Sequence, residues 1–192
     1  MSTSPDTMTA LLTRNYALTH ERLLKAAEEL DAATFAKSAG PAVHSVAWQL
    51  WHVARWDDRF AEILAERCAT LPDALRGRRQ VWIEQDVASG WGLQQGTLGV
   101  RDTGTQLDDA DAERVDFPPQ ARVIRYAKAA FGFLDELLGA VDDDTMSSAV
   151  VGDPDGDSYG QNVVIYLEHA ARHLGMIEAI RGIHGGPGTV TR

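Results

Sequence analysis

The arrangement of helical spacing limits most strongly what this chain can fold into. Two stretches carry apolar residues at steps of three and four, residues 71–117 interrupt them with glycine, proline, aspartate and threonine, and two further helical stretches follow. No alternation of apolar and polar residues is long enough to build a central sheet. The expected fold is therefore all-α, a four-helix bundle with a long crossover between helices 2 and 3, and residues 1–192 read as one domain.

Local signals set the expected boundaries. Asp6 after Pro5 is a good N-cap for a first helix running to about Leu30, with Leu12, Tyr16, Leu23, Ala27 and Leu30 inward. After the Gly40-Pro41 break, Ser45 can cap a second helix whose apolar face includes Trp48, Trp51, Trp56, Phe60 and Ile63 and which ends before Leu71-Pro72. A third starts at Pro118-Pro119 and reaches about Val141, where Asp142-Asp-Asp stops it. The fourth spans about Ser158 to Gly182, with Ile165, His169, His173, Met176, Ile177 and Ile180 facing the core and the Gly185-Gly-Pro-Gly tail beyond it. Connections as long as 71–117 are usually functional or disordered, so this one is expected to form a partly helical cap over one end of the bundle.

Charge and cysteine usage narrow the setting. With 18 Lys+Arg against 28 Asp+Glu the formal charge is -10, and the densest basic stretch, Arg76, Arg78 and Arg79, has no interleaved aromatics, which argues against nucleic acid as a partner. The single cysteine, Cys68, has no partner for an internal disulfide, and no basic start with an unbroken apolar run precedes the first helix. A cytoplasmic protein with no membrane segment is expected.

Chemistry is most concentrated at His169 and His173. A four-residue step stacks their rings on one face of the fourth helix, where two imidazoles in an apolar stripe need partners. His52 holds the corresponding place on the second helix, in the series Trp48, His52, Trp56, Phe60, Ile63. If the two helices are neighbours, three imidazoles can converge on one ion and leave a position open for water or substrate. The same spacing would suit histidines that bond one another or backbone carbonyls, and both readings stay open here.

Trp48 and Trp56 bracket His52 and are placed to line a substrate pocket, while Arg55 and Tyr166 are within reach of it but read first as packing or surface residues. No general base is evident: Glu168 points about 100° away from its neighbour His169, and Asp57 and Asp58 lie off the His52 stripe. His20 reads as a hydrogen-bonded helix histidine, His44 as a neighbour of the second helix cap, and Cys68 as unactivated. Asp153-Pro-Asp155-Gly-Asp157 begins like a calcium loop but has Ser158 where a glycine belongs and Val164 where a glutamate belongs. His184-Gly-Gly-Pro-Gly188 lacks the strand-turn-helix elbow of a serine hydrolase, and Gly90-Trp-Gly92 lacks a dinucleotide fingerprint's spacing.

Two segments carry a family likeness. Trp48-Gln-Leu-Trp-His52-Val-Ala-Arg-Trp-Asp-Asp58 resembles the second-helix signature of the DinB/YfiT-like superfamily, and Glu168-His169-Ala-Ala-Arg-His173-Leu-Gly-Met-Ile-Glu-Ala-Ile-Arg-Gly182 resembles its fourth-helix signature. Trp91-Gly-Leu followed by Asp102-Thr-Gly-Thr is similar to a branch with a Gly- and Thr-rich crossover loop. The resemblance implies a DinB-like bundle, commonly homodimeric, holding one divalent ion, usually zinc or nickel, through His52, His169 and His173. It further implies a metal-dependent S-transferase using a thiol such as mycothiol or bacillithiol, with a small-molecule electrophile as second substrate. The family's mycothiol-dependent isomerases carry an additional C-terminal domain, for which this chain leaves no room before Arg192. A metal-dependent hydrolase and a non-catalytic metal-binding or stress-response bundle are the alternative readings.

Overall fold

The computed structural model describes residues 7–40 and 43–186. Four long helices form the bundle: α1 (Met8–Glu28), α3 (Val46–Arg67), α7 (Gln120–Leu138) and α9 (Tyr159–Ile183). Short helices lie between them: α2 (Ala32–Ala36), α4 (Val81–Glu84), α5 (Val87–Trp91), α6 (Asp109–Glu113) and α8 (Asp143–Ser147). The described residues contain no strand, only isolated bridges. None of their helices is long and apolar enough to cross a membrane.

The termini form where side chains replace missing helical partners. The Ser45 hydroxyl accepts from the Trp48 amide, and Ser158 and Gln161 make a reciprocal capping box at the start of α9. Thr7 caps α1, while the expected cap Asp6 lies outside the described residues, as does the tail from 187 onward. Proline 119 stands at the N-cap of α7, which ends at Leu138 rather than Val141; Asp142 accepts from the Thr145 amide and caps α8 instead.

Each of α1 and α3 packs against both α7 and α9. Gln120, opening α7, donates to the carbonyls of Ala27 and Leu30 at the end of α1, while Thr13 near the start of α1 donates to the Leu138 carbonyl. The two helices are therefore antiparallel. Arg181, near the end of α9, pairs with Glu29 just after α1, so α9 runs parallel to α1. In turn α3 and α7 are parallel neighbours, and a pair of that kind requires a long overhand connection.

That connection does not cap an end of the bundle. Its contacts run from Trp48 to Glu62 along α3 and from Arg122 to Glu136 along α7, so it is laid against their flank. The reason is aromatic: Trp82 packs on Trp51 and Tyr126, and Trp91 on Tyr126 and Phe117, a cluster that only the side of the α3–α7 pair can host. A second correction concerns α9. Its buried row is Val163, Ala170, His173, Ile177 and Ile180, whereas Ile165 and Met176, expected inward, are about half exposed. The helix is apolar on several faces, so periodicity could not single out the packed one.

Candidate metal centre

His52 projects from α3 and His169 and His173 from α9, and one ring nitrogen from each lies within 4.8 Å of the others. His52 Nε2 and His169 Nε2 are 3.1 Å apart, a separation that needs a proton or a cation between the two nitrogens. The four-residue step on α9 brings its two rings to 4.5 Å between centroids. Trp48, one turn before His52, stacks on the His52 ring at 4.6 Å and 13°.

Two of the rings are oriented from behind. His52 Nδ1 donates to the Thr103 carbonyl, and His173 Nδ1 donates to Gln49 Oε1, so in both the Nε2 lone pair is left facing the cluster. Burial holds His52 down to about 4 and His173 to about 3, the neighbouring imidazoles adding to the effect, and burial lowers His169 as well. All three are neutral at pH 7, the protonation state a metal ligand needs.

The Thr103 carbonyl is itself held in place. Arg55, 2% exposed, donates from Nε to the Asp102 carbonyl at 2.8 Å and from Nη2 to the Arg101 carbonyl at 3.1 Å and to Gln80 at 2.9 Å. Its Nη1 reaches Asp58 at 3.3 Å. Asp102 accepts from the amides of Gly96 and Leu98, closing the loop on itself. Arg55 thus ties the crossover to α3. Asp58, fully buried, accepts from the Val81 and Trp82 amides and from the Tyr126 hydroxyl, and burial pushes its carboxyl up against those donors.

Gly104 completes the clamp. At φ +85° its backbone passes so close that an added Cβ would stand 2.8 Å from Trp48, 2.9 Å from Trp51 and 3.3 Å from His52 Nδ1. Gly104→Ala is therefore expected to push Thr103 off His52. Chelator competition should show zinc affinity reduced roughly 10- to 100-fold, as for loss of a ligand-orienting partner, with helicity retained. Unchanged affinity would mean that the Thr103 contact does not orient His52.

The remaining sequence candidates sit around this centre. Trp56 donates from its indole to the Thr105 hydroxyl at 3.1 Å and faces Tyr166 at 6.1 Å. Tyr166 stacks on Phe60 at 4.5 Å. His44 packs on Trp48, and Cys68 is buried against the Thr70 hydroxyl. Asp57, seen from the sequence only as off the histidine stripe, is fully buried and accepts from Tyr16 at 2.7 Å and His20 at 3.0 Å. His20 also reaches Asp135 at 2.9 Å, consistent with its reading as a hydrogen-bonded helix histidine. Gln49 and Thr103 were missed. Gln49, three residues before His52 in an otherwise apolar run, was a signal that a buried amide must have a partner; a backbone carbonyl leaves none.

A model of the DinB superfamily matches residues 15–177, reaching into all four long helices and including the three histidines. The chain belongs to the DinB superfamily. A conserved protein from Enterococcus faecalis has a similar solved structure, with a TM-score of 0.70 and 17% identity, covering 93% of this chain and 98% of that one. At that identity the likeness bears on the DinB-like fold alone. No curated protein matches.

Proposed function

We propose that this DinB-superfamily protein holds one divalent ion, zinc or nickel, on His52, His169 and His173 and is a metal-dependent thiol S-transferase. The observation that carries the reading is the donor set: three neutral imidazoles from two helices, two of them oriented through Nδ1, with no fourth protein ligand in the cluster among the described residues. Structural zinc sites are closed by four protein ligands, and catalytic ones keep a position open. When bound, such an ion lowers the pKa of a thiol taking that position, so a thiolate is available near neutral pH.

The protein's own residues do the rest. Trp48 shields one side of the His52 ring, and His169 is only half-buried, which supports access from that side. The buried carboxylates nearby are engaged: Asp57 by Tyr16 and His20, Asp58 by two amides, Tyr126 and Arg55. Tyr166 is pushed up to about 12, first by burial and then by Asp57, so its hydroxyl stays protonated. With no free base among these groups, a nucleophile acidified by the ion itself fits better than water activated by a side chain.

The test loads the protein with one equivalent of zinc or nickel and supplies mycothiol or bacillithiol with 1-chloro-2,4-dinitrobenzene. Sulfur should displace chloride at a rate saturable in thiol, above the protein-free control, and lost in His52→Ala. A loaded protein that accelerates neither thiol would leave the non-catalytic bundle as the better reading.

A further inference from the structure

Among the described residues ten large apolar side chains are exposed, and seven of them stand on the two parallel helices α1 and α9. Val164, Ile165, Met176 and Ile183 belong to α9, and Met8, Leu11 and Leu18 to α1. Met8 and Leu12 border a groove of about 600 Å³ together with Val164 and Ile165, so the apolar edges of the two helices run into one another. Charge is sparse on this side. From Tyr159 to Ile183 only two exposed residues are charged, Glu168 and Arg172, in a chain whose net charge is -10. A solvated helix face is ordinarily polar, and contiguous apolar surface of this kind marks contact with another molecule.

The outer face of α9 has an order that selects the partner. Ile165, Glu168, Arg172, Gly175, Ala179 and Gly182, all exposed, follow at alternating steps of three and four, the spacing of a seam between two helices. Laid antiparallel on a second copy, about a two-fold axis midway between Glu168 and Arg172, this seam matches itself. Each Glu168 then meets the partner's Arg172, and each Ile165 lies over the partner's Gly175. A contact between identical faces requires such self-complementarity. Within one protomer Arg172 Nε and Glu168 Oε1 are 4.0 Å apart and both side chains are about two-thirds exposed, so each keeps capacity for another partner. Gly175 points the same way. An exposed glycine inside a helix costs roughly 1 kcal/mol relative to alanine, yet here it takes no positive φ and an added Cβ would meet nothing within 4 Å. Nothing inside the protomer calls for that glycine, whereas an Ile165 seated on it from another copy does.

We propose that α9, flanked by α1, is the face on which two copies of this chain pair, antiparallel and two-fold symmetric, with each Glu168 bonded to the partner's Arg172 and each Ile165 seated on the partner's Gly175. Side by side, helices of 21 and 25 residues offer a face of roughly 700 Å², close to the ~800 Å² per partner of a standard interface. The pairing uses none of the histidine contacts, so it stands apart from the metal-centre reading.

Sedimentation equilibrium of the protein as purified, over about 1 to 200 µM, tests it. The mass of two 20.9 kDa chains is expected, with a dissociation constant of about 10 µM. Gly175→Arg, whose Cβ enters open space in its own protomer, should weaken association by about tenfold or more by blocking the seat of Ile165. Glu168→Arg and Arg172→Glu each set like charges across the axis and should do the same, whereas the double variant restores opposite charges and should return to within about threefold of wild type. Circular dichroism checks that every variant is helical. Three results would overturn the pairing: wild type monomeric at about 200 µM, undiminished association in Gly175→Arg, or a double variant no tighter than the single ones.

Discussion

His173→Ala is expected to abolish stoichiometric metal binding, taking the protein from about one zinc or nickel per chain to none while the far-ultraviolet circular dichroism stays helical. His173 supplies one of three donors, and its Nδ1 contact anchors Gln49, so the variant removes a ligand and the partner of a buried amide together. Two imidazoles leave an ion mostly hydrated and weakly held. The energetic readout is large because a ligand that binds only the folded state stabilises it: zinc at a thousand times its dissociation constant contributes about 4 kcal/mol, a rise of roughly 10 °C in melting temperature for a chain of this size. Elemental analysis and zinc-dependent melting of wild type and variant make the check. A variant that keeps one tightly bound ion would remove His173 from the ligand set.

The second large effect concerns the other buried polar cluster. His20 of α1 bridges Asp57 of α3 and Asp135 of α7, stacked flat on Phe131 at 4.0 Å. Burial acts to lower its pKa, but the hydrogen bonds and charges of Asp135 and Asp57 outweigh it and raise the imidazole to about 9. His20 is thus a buried imidazolium at neutral pH. Because its folded pKa lies above the unfolded value near 6.5, its stabilisation is complete below about pH 6.5 and is lost as pH rises through about 9, in total roughly 3 kcal/mol. The wild-type melting temperature should fall correspondingly between pH 6.5 and 10. His20→Ala leaves Asp57 buried with Tyr16 alone and should cost about 3–5 kcal/mol at pH 7, while flattening that alkaline decline. A decline of equal size in the variant would assign it to other groups.

The two clusters show what periodicity can and cannot reveal. His52, His169 and His173 were legible because a four-residue step fixes a shared face and because the four helical stretches themselves are plain in the apolar pattern. Ser45 was legible as a cap for a local reason, lying directly before its helix, and Ser158 as the start of the fourth. Asp57 and Asp58 were not, since α3 is buried on nearly every side and a helix without a solvent face has no stripe to be off. Arg55 was read first as a packing or surface residue because its partners, the carbonyls of residues 101 and 102, lie in a loop whose path no local rule gives. The crossover's placement on the flank depends on Trp82 and Trp91 finding Trp51 and Tyr126, which is a tertiary event.

The His52 ring touches residues very distant in sequence: His169 is 117 positions away and the Thr103 carbonyl 51. Contacts of such separation carry the entropy of closing long loops. During synthesis, α3 and its histidine emerge long before α9, and no segment lacking either one can assemble the triad. The converging set of imidazoles is thereby tied to completion of the bundle, and a partly made or mis-threaded chain offers scattered imidazoles in its place. An ion held on the three imidazoles would therefore stabilise only the completed topology, because a ligand that binds the folded state alone favours it.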